Sequence, residues 1–405
     1  MKKYLIAITV LNVMVIPSFA QTDSGKGPIP IPMTPSAMAG LSPMPMPGMA
    51  GILKANPRPI GYRTGFLGTM YISGVASGFG QWQDNIFAGE HRFQSDVSNA
   101  QIFIQKIDGV VQYFLQIGGY SLPDIGVPYF KSTTATKSFY GMFPQGFLKI
   151  APAKNFSIQA GKLPTVVGSE YTFSFENLNV QRGLLWNQEN AVNRGVQANY
   201  TAEPVTLAIT WNDGFYSETY SWAWLSAVYA INSSNSVTFI GGGNTKHTNI
   251  ATSATPLYQN NQQIYGLIYL HTAGKWIIEP YVQYTYVPRI PKIEANQKSS
   301  TSGAALYINY SAKDNPDGSS FNLPVRIEYI SSTGSLDKGA PNLLYGPGSK
   351  AWSFTITPTY QYKRFFARTE FSFVKANDFT SGSAFGANGT KSTQTRLLLE
   401  TGVLF

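Results

Sequence analysis

Residues 352–362 read WSFTITPTYQY, and the way this stretch divides into two faces decides the fold. Trp352, Phe354, Ile356, Pro358, Tyr360 and Tyr362 fall on one side. Ser353, Thr355, Thr357, Thr359 and Gln361 fall on the other. A period of two is the geometry of a β-strand. The apolar face carries aromatics at both ends. A strand packed in a protein core has no use for that, whereas a strand crossing a bilayer meets an interface at each end. The pattern recurs in Val205, Leu207, Ile209 and Trp211 against Thr206, Ala208, Thr210 and Asn212. Val111, Tyr113, Leu115 and Ile117 likewise oppose Gln112, Phe114, Gln116 and Gly118.

Composition agrees with a strand-built membrane protein. Of 405 residues only 13% are charged and 14% are aromatic, with Gly 38, Pro 25 and Cys 0. Soluble proteins carry about 25% charged residues. The mean hydropathy is nevertheless −0.10, because uncharged polar residues, glycine and aromatics replace the missing charges. A helical membrane protein needs runs of about 20 apolar residues, and nothing beyond the N-terminus supplies one. The expected fold is therefore all-β, a transmembrane antiparallel β-barrel of about sixteen strands. Turn chemistry places the strands at 66–80, 98–107, 110–120, 138–150, 155–163, 194–202, 205–213, 221–231, 236–244, 262–272, 275–287, 301–312, 321–332, 350–362, 365–376 and 393–405. Connections alternate short and long: Asp108-Gly109 is a hairpin turn by itself, and 81–97, 121–137 and 164–193 are long. Short periplasmic turns and long outer loops are the habit of outer-membrane barrels.

Three segments follow along the chain. Residues 1–20 read as a secretory signal, with Lys2 and Lys3 ahead of an apolar stretch and a cut after Ala20. Residues 21–60 form a Pro/Met/Gly-rich periplasmic linker without periodicity. Residues 61–405 form the barrel. Met44, Met46 and Met49 could offer thioethers to Cu(I), although methionine is also tolerated in any linker. The formal charge of +9 comes from dispersed basic residues, so no nucleic-acid partner is expected. No cofactor or metal is expected either.

Inward positions of the strands are mostly Thr, Ser, Gln, Asn and Gly, which suits a water-filled lumen. The exceptions are Glu279, Arg326, Glu328, Arg368, Glu370, Arg396 and Glu400, each spaced to share the polar face. Lipid exposure would cost an arginine about 2–4 kcal/mol near the midplane, so these charges are expected to line the pore. They could rigidify the wall as a salt-bridge ladder or set ion selectivity. The connection 164–193 is too long for an ordinary loop. It carries Glu170, Glu176, Arg182, Trp186 and Glu189, a mixture of signs suited to a constriction loop folded into the barrel. An outer lid is the alternative. Leu397, Leu399, Thr401, Val403 and Phe405 alternate along the last strand. Its terminal aromatic, Phe405, looks like the assembly signal read by the outer-membrane barrel assembly machinery.

The stretch 161–200 resembles a diagnostic block of the OmpL-like β-barrel porins, in which Gly161, Thr165, Gly168, Glu170, Asn179, Arg182, Trp186, Gly195 and Val196 occupy the matching places. The resemblance implies a channel and names no solute; the Pro/Met-rich segment departs from it. The expected function is an outer-membrane porin giving passive diffusion of small hydrophilic solutes through a lumen narrowed by 164–193. The alternative is an outer-membrane adhesin or structural tether with a closed barrel. An enzyme is not expected: His91, His247 and His271 have no paired acid or nucleophilic serine in recognisable context. Outer-membrane lipid is the surrounding partner. A homo-oligomer suits such barrels, yet no lipid-facing stripe stands out as its interface.

Overall fold

In a computed structural model the described residues are 51–405, apart from 57–58, 64, 66–67 and 313–317. The signal segment, its cut and the Met44–Met46–Met49 group lie outside them. The strands are β1 (Ile60–Arg63), β2 (Thr69–Gln83), β3 (Phe93–Lys106), β4 (Val111–Tyr120), β5 (Gly146–Ala153) and β6 (Phe156–Pro164). Then come β7 (Val192–Ala202), β8 (Val205–Asn212), β9 (Trp222–Asn232), β10 (Asn235–Asn244), β11 (Gln263–Ala273) and β12 (Trp276–Val287). The chain closes with β13 (Ser299–Ser311), β14 (Ser319–Ser332), β15 (Lys350–Ile356), β16 (Thr359–Tyr362), β17 (Phe365–Asn377) and β18 (Thr393–Leu404).

Every ladder is antiparallel, and β18 returns to β2 from Arg396↔Gln83 to Leu404↔Val75. That last pairing removes both sheet edges, so all backbone polar groups of the wall are met within it. β15 and β16 are one wall strand, since β14 and β17 each pair with both. The interruption falls at Pro358, which lacks an N–H to donate; beside it Thr357 donates its N–H to the carbonyl of a second proline, Pro324, at 2.9 Å. With β1 only a short strip along the start of β2, the wall has sixteen strands, as the alternation required.

The outer face is apolar along its waist, with Ile209, Leu267, Val282, Ile327 and Leu397 exposed. Aromatics gather at its two ends. Tyr200, Tyr229, Trp276, Tyr362 and Phe365 mark the short-turn rim, and Trp211, Tyr265, Tyr284, Tyr329 and Trp352 stand toward the long loops. No helix of the described residues is long and apolar enough to cross a membrane; the crossing is made by strands.

Two expectations need correction. The fourth wall strand, β5, begins at Gly146 rather than near 138, because Ser132–Ala135 and Thr136–Tyr140 make helical turns ending at Gly141, whose φ is 74°. The aromatic run there had the look of a strand, but Tyr140 is buried beneath the loop, where its N–H donates to the Tyr120 hydroxyl. The inner face is also less uniformly polar than expected. Phe103, Phe114, Ile240, Ile264, Ile268, Tyr281, Tyr307 and Ile330 are all buried on it.

Candidate functional site: a loop held inside the barrel

The apolar patches of the inner wall have a partner. Nearly every residue from Thr165 to Val192 is buried, although the stretch contains no strand until its last residue. Its neck is tied where Thr165 donates its N–H to the Ala191 carbonyl at 3.2 Å and Thr172 Oγ1 donates to the same carbonyl at 2.9 Å. Phe173 packs edge-on to Tyr120 at 5.1 Å, and Phe175 lies 5.7 Å from Phe103. Burying a phenyl ring contributes roughly 1.5–3 kcal/mol. Val166, Val167, Leu178, Leu184 and Leu185 join the cluster built on Ile240, Ile264, Ile268 and Tyr307. The loop thus carries a small core of its own, and the inward aliphatic residues of β10–β14 complete it.

The inward charges complete its polar side. Arg326 reaches Glu170 at 2.5 Å, Glu328 at 3.1 Å and the Gln181 carbonyl at 2.8 Å. Arg368 donates to the carbonyls of Ser174, Asn177 and Leu178 at 2.9, 3.0 and 2.8 Å, and lies 3.5 Å from Glu400. Glu370 accepts the N–H groups of Val180 and Gln181 at 2.5 and 3.0 Å. Arg396 donates to the carbonyls of Asp124 and Val127 and to Gln181 Oε1 at 2.6, 2.7 and 3.1 Å. Glu400 accepts from Ser174 Oγ at 3.0 Å, and Glu328 accepts the Leu185 N–H at 3.2 Å. Loops have backbone groups that no ladder satisfies, and burying them unpaired is expensive. Here the wall's guanidinium and carboxylate groups supply the missing donors and acceptors. Glu279 stands apart: it is buried, and its Oε1 has no hydrogen-bond partner among the described residues.

Within the loop, Glu189 accepts from the Tyr281 hydroxyl at 2.9 Å and from Gln283 Nε2 at 2.7 Å. Arg182 pairs with Asp124 at 2.5 Å and stacks over Trp186 at 5.1 Å. Its backbone bridges to the neighbouring long loop through Arg182 N to Pro123 O and Ile125 N to Arg182 O, both 3.0 Å. Burial pushes the Glu176 carboxyl up to about 8, against the Phe173 N–H that it accepts at 3.1 Å. Burial also raises the Glu170 carboxyl, while the facing Arg326 holds it down. Two glycines permit the fit. A Cβ on Gly183 would lie 2.1 Å from Glu328 Oε1, and one on Gly168, at φ 81°, would lie 1.9 Å from Glu189 Oε2.

The structure therefore brings Glu170, Arg182, Trp186 and Glu189 into one assembly with Arg326, Glu328, Arg368, Glu370, Arg396 and Glu400. The opposite signs meet in contact, not across open water. Sequence reasoning passed over Asp124, Gln181 and Gly183, which are unremarkable until the two loops meet. It also passed over the inward apolar residues of β11, whose QIYGLIYL run does not alternate cleanly and was the available signal. At the far end of the chain, Phe405 and Gly74 exchange backbone hydrogen bonds at 2.8 and 2.9 Å. A Cβ on Gly74 would lie 2.4 Å from Phe405 Cζ, so the ring covers the glycine.

On the opposite side of the lumen the wall is different. Gln112, Lys149, Ser157 and Asn199, inward residues of β4–β7, line a cavity of about 460 Å³ at the short-turn rim. Gln112, Ser157 and Asn199 bring amides and a hydroxyl to it, Lys149 and Lys154 are its cations, and the turn residues Asp108 and Asn155 lie at its edge among apolar neighbours such as Val110 and Phe156.

The fold has solved counterparts. The anion-selective porin from Comamonas acidovorans is 10% identical with a TM-score of 0.54, over 83% of this chain and 99% of that one. OmpT of Vibrio cholerae is 11% identical with a TM-score of 0.55, over 86% and 100%. OmpF of Salmonella typhi, in complex with daunomycin, is 12% identical with a TM-score of 0.52, over 83% and 98%. At such identities the likeness concerns the fold. No curated protein matches the chain by sequence. Residues 69–405, the whole closed wall, match the family described as "Putative beta-barrel porin-2, OmpL-like". Sixteen-stranded closure, an aromatic-ended lipid face and that match give one conclusion: the chain belongs to the OmpL-like β-barrel porin family of the bacterial outer membrane.

Proposed function

We propose that this porin passes small hydrophilic solutes by diffusion, along the side of the lumen left to the β4–β8 wall. The observation that carries the reading is the cavity of about 460 Å³ at the short-turn rim, into which Gln112, Lys149, Ser157 and Asn199 bring polar groups from the wall. A solute leaving water there exchanges hydrogen bonds with amides and hydroxyls, without strong binding to hold it. Residues 164–193 act as the constriction loop, and six of the seven inward charges, all but Glu279, anchor it in place. In this reading the short turns are periplasmic, and no reaction step is involved. His271 is engaged with Asn235 Oδ1 at 2.8 Å, and His91 and His247 sit in long loops.

Planar-bilayer recording of the refolded protein tests the reading, with salt gradients and a panel of sugars and amino acids. Discrete open-channel steps and a size cut-off are expected. A folded, heat-modifiable barrel that never conducts would leave the adhesin or tether reading in its place. Phe405 belongs to the same proposal as the assembly signal, because it pins the closing strand to Gly74. Its deletion should lower the yield of assembled barrel and leave the unitary conductance alone.

A further inference from the structure

Ahead of β1 the chain does something a linker does not need to do. Gly51 donates its N–H to the Glu176 carbonyl of the constriction loop at 2.7 Å. A Cβ there would lie 2.4 Å from the Asn177 carbonyl oxygen, so only glycine fits that approach. Lys54 donates its N–H to Gln361 Oε1 at 2.7 Å, and its carbonyl accepts from Gln361 Nε2 at 2.8 Å. Gln361 is an inward residue of β16, so the backbone of Lys54 is read by a side-chain amide as a neighbouring strand would read it. Leu53 is 3% exposed and joins the buried cluster of Val75, Phe103, Phe114, Phe366 and Leu404, all inward residues of the wall. Ile52 joins the cluster that holds Leu178 of the loop.

We infer that residues 51–56 are a resident strap of the lumen, docked along the inner wall of β16–β18 and β2–β4. It holds the tip of the constriction loop from the short-turn side and narrows the periplasmic half of the pore. The occupant of this inner surface is thus a segment of the chain itself. The docking half stands on geometry; the narrowing half rests on the porin reading above. The Pro/Met-rich composition that looked like a free tether ends, at residue 51, in a built contact. The strap and the 460 Å³ cavity share only β4: β16–β18 and β2–β4 carry the one, and the β4–β7 side carries the other.

The test exploits the absence of cysteine from the chain. In the full-length refolded protein, Leu53→Cys introduces a single thiol, and Ala153→Cys, exposed at the end of β5 beside a short turn, serves as the control. A charged maleimide should label position 53 at least tenfold more slowly than position 153. Gln361→Ala in the Leu53→Cys background should speed that labelling severalfold by removing both bonds to Lys54. Replacing residues 51–56 by six Gly/Ser residues should raise single-channel conductance while heat-modifiability shows the barrel still closed. Equal labelling at 53 and 153 overturns the strap. Slow labelling with conductance unchanged by the replacement overturns its narrowing role and leaves the porin reading intact. If neither the intact nor the replaced barrel conducts, the porin reading and the narrowing role fail together, and labelling alone decides the docking.

Discussion

The two sides of this lumen obey one rule of sequence and differ in use. Along β14–β18 the inward residues include Arg326, Glu328, Arg368, Glu370, Arg396 and Glu400, all fully buried and bonded to the loop. Along β4–β8 they are chiefly Gln112, Gln116, Ser157, Gln159, Gln197, Asn199 and Thr210. Both sets alternate with lipid-facing apolar residues, so a period of two cannot tell them apart. The difference lies in what each can satisfy. A guanidinium offers five donors in a fixed fork, and that suits the converging carbonyls of an irregular loop, as at Ser174, Asn177 and Leu178. Amides and hydroxyls exchange readily with water and suit a path. Charge inside this barrel thus marks where the lumen is filled, and its scarcity marks the side along which the proposed diffusion would run.

The largest expected effect comes from breaking the charged side at its centre. Arg326→Met leaves Glu170 and Glu328 buried without their cation, and losing one partner of a buried pair costs about 3–5 kcal/mol. Loop release should follow, with a several-fold rise in unitary conductance and a higher size threshold for exclusion in bilayer recordings. Unchanged conductance would mean that the loop stays seated without its anchor, and the contrast between the two walls would lose its meaning. Gly183→Val probes the same contact by sterics. Overpacking of this kind costs typically about 1–3 kcal/mol, so the loop should loosen with a smaller rise in conductance and in current noise.

A third, smaller effect depends on pH. The docked loop binds the Glu176 proton more tightly than the released loop, because burial raises its value from 4.5 to about 8. Docking is therefore favoured fully below about 4.5 and weakens as pH climbs toward 8. Arg182, whose charge opposes the rise, keeps the effect modest. Current noise should grow between pH 5 and pH 8, and Glu176→Gln should flatten that dependence; a flat profile in the unaltered protein would deny that Glu176 titrates with docking. The smallest change is expected on the amide side. Lys149→Gln removes one cation from the cavity wall, so reversal potentials in a salt gradient should move slightly toward cations, most at low salt where screening is weak. A change in unitary conductance as large as that of Arg326→Met would show that the two walls are not divided as described.

The wall was legible because its rule is local. Trp352 to Tyr362 alone states a strand with a lipid face, and the same alternation located the sixteen strands to within a few residues, except that β3 starts earlier, at Phe93, and β5 later. The fourth, β5, began late because its aromatics serve a buried helical turn; propensity and period cannot separate those uses. The charges were legible as inward, since lipid forbids the other face. Their partners were not, because Arg368 binds backbone carbonyls, and a backbone carbonyl has no letter in the sequence. Leu53 was read as linker for a similar reason: its neighbours Val75, Phe103, Phe366 and Leu404 are far from it along the chain and adjacent only once the barrel closes. By itself, the sequence determined the strand period, the face that meets lipid and the rhythm of turns and loops, all set by contacts a few residues apart. Tertiary structure alone decided that the loop 164–193 and residues 51–56 lie inside the lumen. Satisfying their buried backbone takes donors and acceptors that the closed wall brings together.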